Sequence, residues 1–208
     1  MATLLPPHQQ ALAPLQAVTL NGQHTRLEPL EREHEAELQQ ATRDGELWKL
    51  WYTAVPSPEG MRAEIERRLA LAAQDRMLPF SIRCLASGRL VGMTTFMEVD
   101  LPNRRVEIGS TWMALSAQGG PINTECKLML LTHAFDVLGC VAVEWRTHFM
   151  NQQSRRAIER LGAKLDGVLR AHRISPDGSL RDTAVYSVIA PEWPAVRSHL
   201  RWQLDKPR

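Results

Sequence analysis

Hydrophobic and polar positions along the chain change period several times, and each change marks an element. Residues 18–30 alternate loosely around an Asn21-Gly22 turn, which predicts a hairpin or first strand. Helical periodicity follows over 31–43 and again over 58–76. In the second, Met61, Ile65, Leu69 and Ala72 form one stripe, and Ser57-Pro58 offers an N-cap and N1 pair. Residues 80–85, 89–99 and 105–113 read as three consecutive strands, divided by Ser87-Gly88 and Pro102-Asn103. A helix over 124–138 stacks Leu128, Leu131, Phe135 and Leu138 and ends at Gly139, a natural left-handed cap. Residues 141–149 form a strand and 154–161 a short helix ended by Gly162. Residues 168–174 and 183–189 pair across Pro176-Asp177-Gly178, and a last helix covers 193–204. No repeat or low-complexity linker interrupts this order. It predicts an α/β fold in which helices flank a mixed, mostly antiparallel sheet, with crossover helices in the middle.

The turn Gln118-Gly119-Gly120-Pro121-Ile122-Asn123 lies between a strand and a helix, and Asn151-Gln152-Gln153-Ser154 opens the next helix. Backbone N–H groups at such openings suit an anion such as a pyrophosphate. Two of them close together suggest a nucleotide-containing cofactor. The glycines let the backbone approach a ligand closely, whereas Pro121 removes one donor. Taken alone, the same residues also describe an ordinary loop.

Strand alternation places Val106, Ile108 and Trp112 on one face and Glu107, Gly109 and Thr111 on the other. Glu107, held in mid-strand, is a candidate general base, or else a carboxylate paired with Arg104 or Arg105. Asn151 and Ser154 have the spacing of an N-cap and N3 residue, and could instead present an amide and a hydroxyl to a ligand. His172 beside Arg170, with Asp182 and Tyr186 on the neighbouring strand, forms a polar cluster or a structural one. Trp48 and Trp51 either line a pocket or pack.

Composition narrows the classes. The 208 residues are 44% hydrophobic, enough for a sizeable core. A formal net charge of only +2 argues against a nucleic-acid partner, although the pI is about 8.6. Cys84, Cys126 and Cys140 are widely spaced and read as buried thiols in a reducing compartment. No apolar run is long enough for a membrane span. Residues 1–16, broken by prolines, read as a flexible or docked arm and not as a signal peptide. That leaves 17–208 as one domain in a cytoplasmic protein. No His or Cys spacing suits a metal, and neither a G-x-S-x-G elbow nor a Walker A lysine occurs.

Together these pieces resemble the GCN5-related N-acetyltransferases, and within them the RimJ/RimL-like branch that acetylates ribosomal-protein N-termini. The resemblance runs from about Thr19 to Trp193. Its most specific parts are Glu107-Ile108-Gly109, Asn123-Thr124-Glu125-Cys126-Lys127, residues 151–162, and Arg181-Asp182-Thr183 with Tyr186. Leu27-Glu28-Pro29-Leu30 and Glu192-Trp193 also fit.

The resemblance implies a sheet splayed into a V between the strands of Glu107 and Trp145, with acetyl-CoA in the gap and no metal. Gln118, Gly119, Gly120, Ile122 and Asn123 would hold its pyrophosphate. The strand edge at Trp112, Met113 and Ala114 would pair with the pantetheine arm, joined by Asn151, with Ser154 nearby. An amine would lose its proton to Glu107 and attack the thioester directly. A backbone N–H near Trp112 or Met113 would steady the oxyanion. Two positions depart from the family pattern: Pro121 replaces a usual Gly, and Ile158 replaces a Tyr that often protonates the leaving thiolate. Ser154 matches the residue given that task in the ribosomal-protein branch.

The expected activity is therefore acetyl transfer to a primary amine, on a small molecule or a protein N-terminus. A non-catalytic acyl-CoA-binding module on the same fold is the alternative. The acceptor pocket is expected from residues 31–52, the Glu107 strand and the loop 175–180. Arg155, Arg156 and Arg160 read as a solvated helix face or as contacts for CoA phosphates, before RNA contacts. A homodimer is left open.

Overall fold

The computed structural model describes residues 15–175 and 177–206. Its strands are β1 (Leu20–Asn21), β2 (Thr25–Pro29), β3 (Met77–Cys84), β4 (Leu90–Asp100), β5 (Arg105–Met113), β6 (Ala142–His148), β7 (Lys164–Ile174) and β8 (Leu180–Ile189). Its helices are α1 (Glu35–Arg43), α2 (Met61–Ala72), α3 (Ile122–Thr132), α4 (Gln152–Arg160) and α5 (Trp193–Asp205). The strands form one sheet in the order β1-β2-β3-β4-β5-β6-β8-β7. Every pairing is antiparallel except that of β5 with β6. This is the mixed, mostly antiparallel sheet with flanking helices that the sequence predicts.

The parallel pair is short. Only Arg105, Val106 and Glu107 lie in register with Ala142, Val143 and Glu144. Beyond them the two strands share no ladder, so the sheet opens into a V whose closed end is at Glu107.

Helices cover both faces. His34 Nδ1, just before α1, lies 2.9 Å from Ser81 Oγ, and Glu37 of α1 accepts the Leu90 N–H at 2.9 Å. On the opposite face Lys127 of α3 reaches Thr94 Oγ1 at 3.0 Å. Apolar side chains fill both layers. On one face Leu38 of α1, Met61 and Ile65 of α2 and Met93 of the sheet are buried, and on the other Leu130 of α3 with Leu27, Phe80, Phe96 and Ile108 of the sheet. Each such side chain contributes about 1.5–3 kcal/mol on leaving water.

Two irregularities correct the sequence reading. In β5, Gly109 pairs with Thr95 and Trp112 with Met93, so Ser110 and Thr111 together oppose Thr94. Ser110 has a left-handed φ of 47°. One inserted residue reverses the alternation beyond it. Trp112 therefore shares the face of Glu107 and Gly109, and Thr111 moves to the face of Ile108. There its hydroxyl lies 2.8 Å from that of Thr94.

The second irregularity follows α3, where a π-helical turn runs over His133–Val137 before Gly139 (φ 76°) ends the helix. The helix lies between the sheet and α5, so it buries a wider face than the expected stripe. Cys126, Lys127, Leu130, Leu131 and Ala134 are buried, while Leu128 and Phe135 are only partly so. At the start of α2 the Gly60 N–H bonds Ser57 O at 3.1 Å, and that turn moves the helix start from the expected Pro58 to Met61. Residues 1–14 of the expected N-terminal arm and Pro176 of the expected hairpin turn lie outside the described residues.

Candidate functional site

A cleft of about 450 Å³ opens where β5 and β6 part. Glu107, Trp112, Met113, Gln118, Gly119, Gly120, Asn123, Asn151 and Ser154 all line it. Ala114 and Ile122 do not: both are buried, and the Ala114 N–H bonds Val91 O at 2.8 Å.

Glu107 sits at the closed end and is 6% exposed. Burial pushes its carboxyl up to about 7; Arg146 pulls down, Glu98 and Glu144 push up, and Arg173 pulls down more weakly. Its nearest cation is Arg146, with Nε 3.7 Å from Oε2. The expected alternative partners are engaged elsewhere: Arg105 pairs with Glu144, and Arg104 donates to Gly139 O. A carboxylate titrating near neutrality in a cleft suits a general base.

At the other end, Gly119 has a φ of 71°, with open space where a side chain would project. A residue with a Cβ would be strained there. Pro121 precedes α3 as its N-cap, and its carbonyl accepts the Glu125 N–H at 2.9 Å. Gln118 acts as a brace. Its amide donates to Met113 O at 2.9 Å and its carbonyl accepts from Gln153 Nε2 at 2.9 Å, tying β5 to α4. The carbonyl of Met113 is thus already engaged on the edge expected to receive a pantetheine arm.

Asn151 caps α4: its Oδ1 accepts the backbone N–H of Ser154 at 3.0 Å. The cap uses the serine's amide, so the hydroxyl stays available in the cleft. Ile158 faces the same cleft, where a phenol would otherwise stand.

Sequence reasoning overlooked several lining residues. Lys127 is 4% exposed and donates to Thr94 Oγ1 at 3.0 Å and Thr111 Oγ1 at 2.8 Å. Burial lowers its ammonium to about 8. Its position three and four residues before Leu130 and Leu131 was the signal: a lysine on an apolar stripe. Arg68, Arg146, Arg173, Arg181 and His148 come from four separate elements, and no local pattern joins them.

Other expected groupings are redistributed. Residues Leu47, Leu50, Tyr52 and Val55 form a wall of the cleft, whereas Trp48 and Trp51 do not line it. Trp51 sits edge-on to His148, with ring centres 5.1 Å apart. From the loop 175–180 no described residue lines the cleft; its neighbours Arg173 and Arg181 do. Tyr186 turns away from His172. Its hydroxyl donates to Glu159 at 2.7 Å and accepts from Arg155 Nε at 2.9 Å. Arg155 is thereby held over the Phe149 ring, and of the trio with Arg156 and Arg160 only Arg160 lines the cleft. Among the described residues no group of three His, Cys, Asp or Glu is placed to hold a metal, and no helix is long and apolar enough to cross a membrane.

The model of an acetyltransferase (GNAT) domain family matches residues 24–164. A relative from Bacillus subtilis (strain 168), named "Putative ribosomal N-acetyltransferase YdaF", is 33% identical over 109 residues. That match covers 52% of this chain and 58% of the relative, less than two thirds of its length. A GCN5-related N-acetyltransferase from Brucella melitensis has a similar structure, with a TM-score of 0.81 at 33% identity over 93% of this chain and 88% of that one. Mycobacterium smegmatis RimJ, solved in complex with CoA-disulfide, shares the fold at a TM-score of 0.74 and 23% identity, over 96% and 97% of the two chains.

Proposed function

The chain belongs to the GNAT acetyltransferase family, and from that premise we propose that it moves the acetyl group of acetyl-CoA directly to a primary amine. The acceptor is a protein N-terminus or a small molecule, with ribosomal-protein N-termini suggested by the name of the Bacillus relative. One observation carries this reading: a buried carboxylate, Glu107, stands at the closed end of a cleft that a glycine-rich turn and a helix N-terminus border farther out.

The cleft suits acetyl-CoA in shape and chemistry. The amides of the turn and of the start of α3 would present an electropositive end to the pyrophosphate, and Asn123 and Asn151 would offer side-chain amides. When bound, acetyl-CoA supplies an activated acyl carbon. The protein's own groups do the rest. Glu107 takes one proton from the amine, which most often arrives as an ammonium at neutral pH. A nitrogen–carbon bond then forms as the carbon–sulfur bond breaks. The departing thiolate takes its proton from the Ser154 hydroxyl or from water, and the second proton, shed by the new amide nitrogen, restores that donor. The bulge at Ser110–Thr111 interrupts the β4 ladder beside the cleft, and a backbone N–H near Trp112 or Met113 would steady the carbonyl oxygen.

A cytoplasmic setting and one catalytic unit over residues 17–208 belong to the same reading, supported by three free thiols. The non-catalytic alternative draws on Ile158 in the cleft, where it supplies no acid. Thiol release from acetyl-CoA with an amine panel separates the two. Turnover lost in Glu107→Gln supports the enzyme; tight CoA binding without turnover on any amine supports the binding module.

A further inference from the structure

The acceptor end of the cleft is rich in positive charge. Among the described residues Glu107 is the single acid lining the cleft, against Arg68, Arg146, Arg173 and Arg181. Arg146 is shared between Glu144, at 3.1 Å, and Glu107. Arg173 and Arg181 form no ion pair among the described residues, and the buried Arg181 Nε has no hydrogen-bond partner there. Arg68 is 2% exposed; its Nε binds Glu64 at 2.7 Å and its Nη2 binds Ser110 O at 3.0 Å. Its Nη1 is buried and unpartnered among the described residues.

Converging guanidinium groups repel one another, and a buried donor without an acceptor costs about 1–3 kcal/mol. A bound carboxylate would relieve both, since it matches the planar fork of arginine. These arginines belong to the Glu107 end: Arg146 and Arg173 act on the Glu107 charge, and Glu107 acts on Arg181. The pyrophosphate contacts would lie instead at the turn 118–123, with Arg160 a further lining cation. A cationic lining also disfavours an ammonium, which helps an amine lose its proton but repels polyamines and aminoglycoside-like acceptors.

We propose that the acceptor amine carries a carboxylate near its nitrogen, received by Arg173 and Arg181 while Glu107 takes the amine's proton. The idea rests on the acetyl-transfer reading and narrows its substrate class. The test compares tripeptides alike except for an N-terminal Asp, Asn or Lys, together with free aspartate and asparagine. The Asp-headed peptide should show a kcat/KM about tenfold above its Asn counterpart, with the Lys peptide lowest. Arg173→Gln and Arg181→Gln should each shrink that ratio to about twofold, mainly through KM, and Arg181→Lys should restore part of it. A preference seen with free aspartate assigns the carboxylate to a small molecule, and one seen only with peptides assigns it to a polypeptide. Equal rates across the panel, or preference for the Lys peptide, overturn the proposal. Absence of thiol release with every amine would instead sink acetyl transfer. Calorimetry with CoA present would still test the anion site: acidic-peptide binding weakened about tenfold in Arg181→Gln supports it, and no binding overturns it.

Discussion

The Glu107 carboxylate occupies the space that a side chain at Gly109 would need. A Cβ added at Gly109 would lie 2.8 Å from Glu107 Oε1 and 2.6 Å from Met97 Sδ. The flexible end of Met97 can swing aside, so Gly109→Ala should fold, with a loss of about 1–3 kcal/mol. The carboxylate has less room and would be displaced from the closed end of the V. We expect kcat to fall about tenfold or more, with CoA affinity nearly unchanged. Calorimetric CoA binding alongside steady-state rates checks this; an unchanged kcat would show that the placement of Glu107 is not what limits the reaction.

Glu107 should also set the acid limb of the pH–rate profile. Its carboxyl, raised by burial to about 7, must be ionised to accept a proton, so the rate should climb through neutrality and level off above it. Glu107→Gln should lower kcat, remove that limb and leave CoA affinity nearly unchanged. Stability should run the other way. The folded state holds this proton more tightly than the unfolded chain, so stability declines as pH rises from about 4.5 to about 7. The loss is on the order of 1–3 kcal/mol and should be absent in Glu107→Gln. A profile unaltered by the substitution would remove Glu107 as the base.

The α4 cap makes Ser154 unusually easy to test. Asn151 bonds the Ser154 backbone N–H and not its hydroxyl, so Ser154→Ala keeps the cap and should melt like the parent protein. Slower turnover in that variant would then report on the hydroxyl itself, while equal rates would leave the thiolate's proton to water. Asn151→Ala, by contrast, should cost about 1 kcal/mol of stability, and Asn151→Ser should recover most of it.

The features legible in the sequence are local ones. Alternation around Glu107, the glycine turn at 118–123 and the Asn151 cap each leave a short-range mark, and the family resemblance they carry implied the V between β5 and β6. The errors arise where packing overrides period. Ser110 adopts a left-handed φ with no glycine to announce it, and the resulting bulge moves Trp112 to the opposite face. The π turn after α3 is equally silent in sequence. The arginines around Glu107 come from α2, β6, β7 and β8, so only the folded sheet assembles them.

Lys127 gives the last prediction. Its ammonium is buried among uncharged partners, the hydroxyls of Thr94 and Thr111, and forms no ion pair among the described residues. Burial lowers its folded value to about 8, against 10.5 in water, so keeping the group charged at neutral pH costs stability. The unfolded chain binds the proton more tightly, and stability should therefore rise with pH between about 8 and 10.5. Lys127→Met removes the buried charge at nearly constant volume. At pH 7 it should stabilise the fold by about 1 kcal/mol or more, raising Tm by roughly 2–4 °C, and the gap should narrow toward pH 10.5. Turnover should nevertheless fall, because the Thr111 hydroxyl beside the β5 bulge loses the donor that holds it. Melting curves at pH 7 and 10 with rates at both would decide it: a variant less stable at pH 7 and equally active would make Lys127 a packing residue alone.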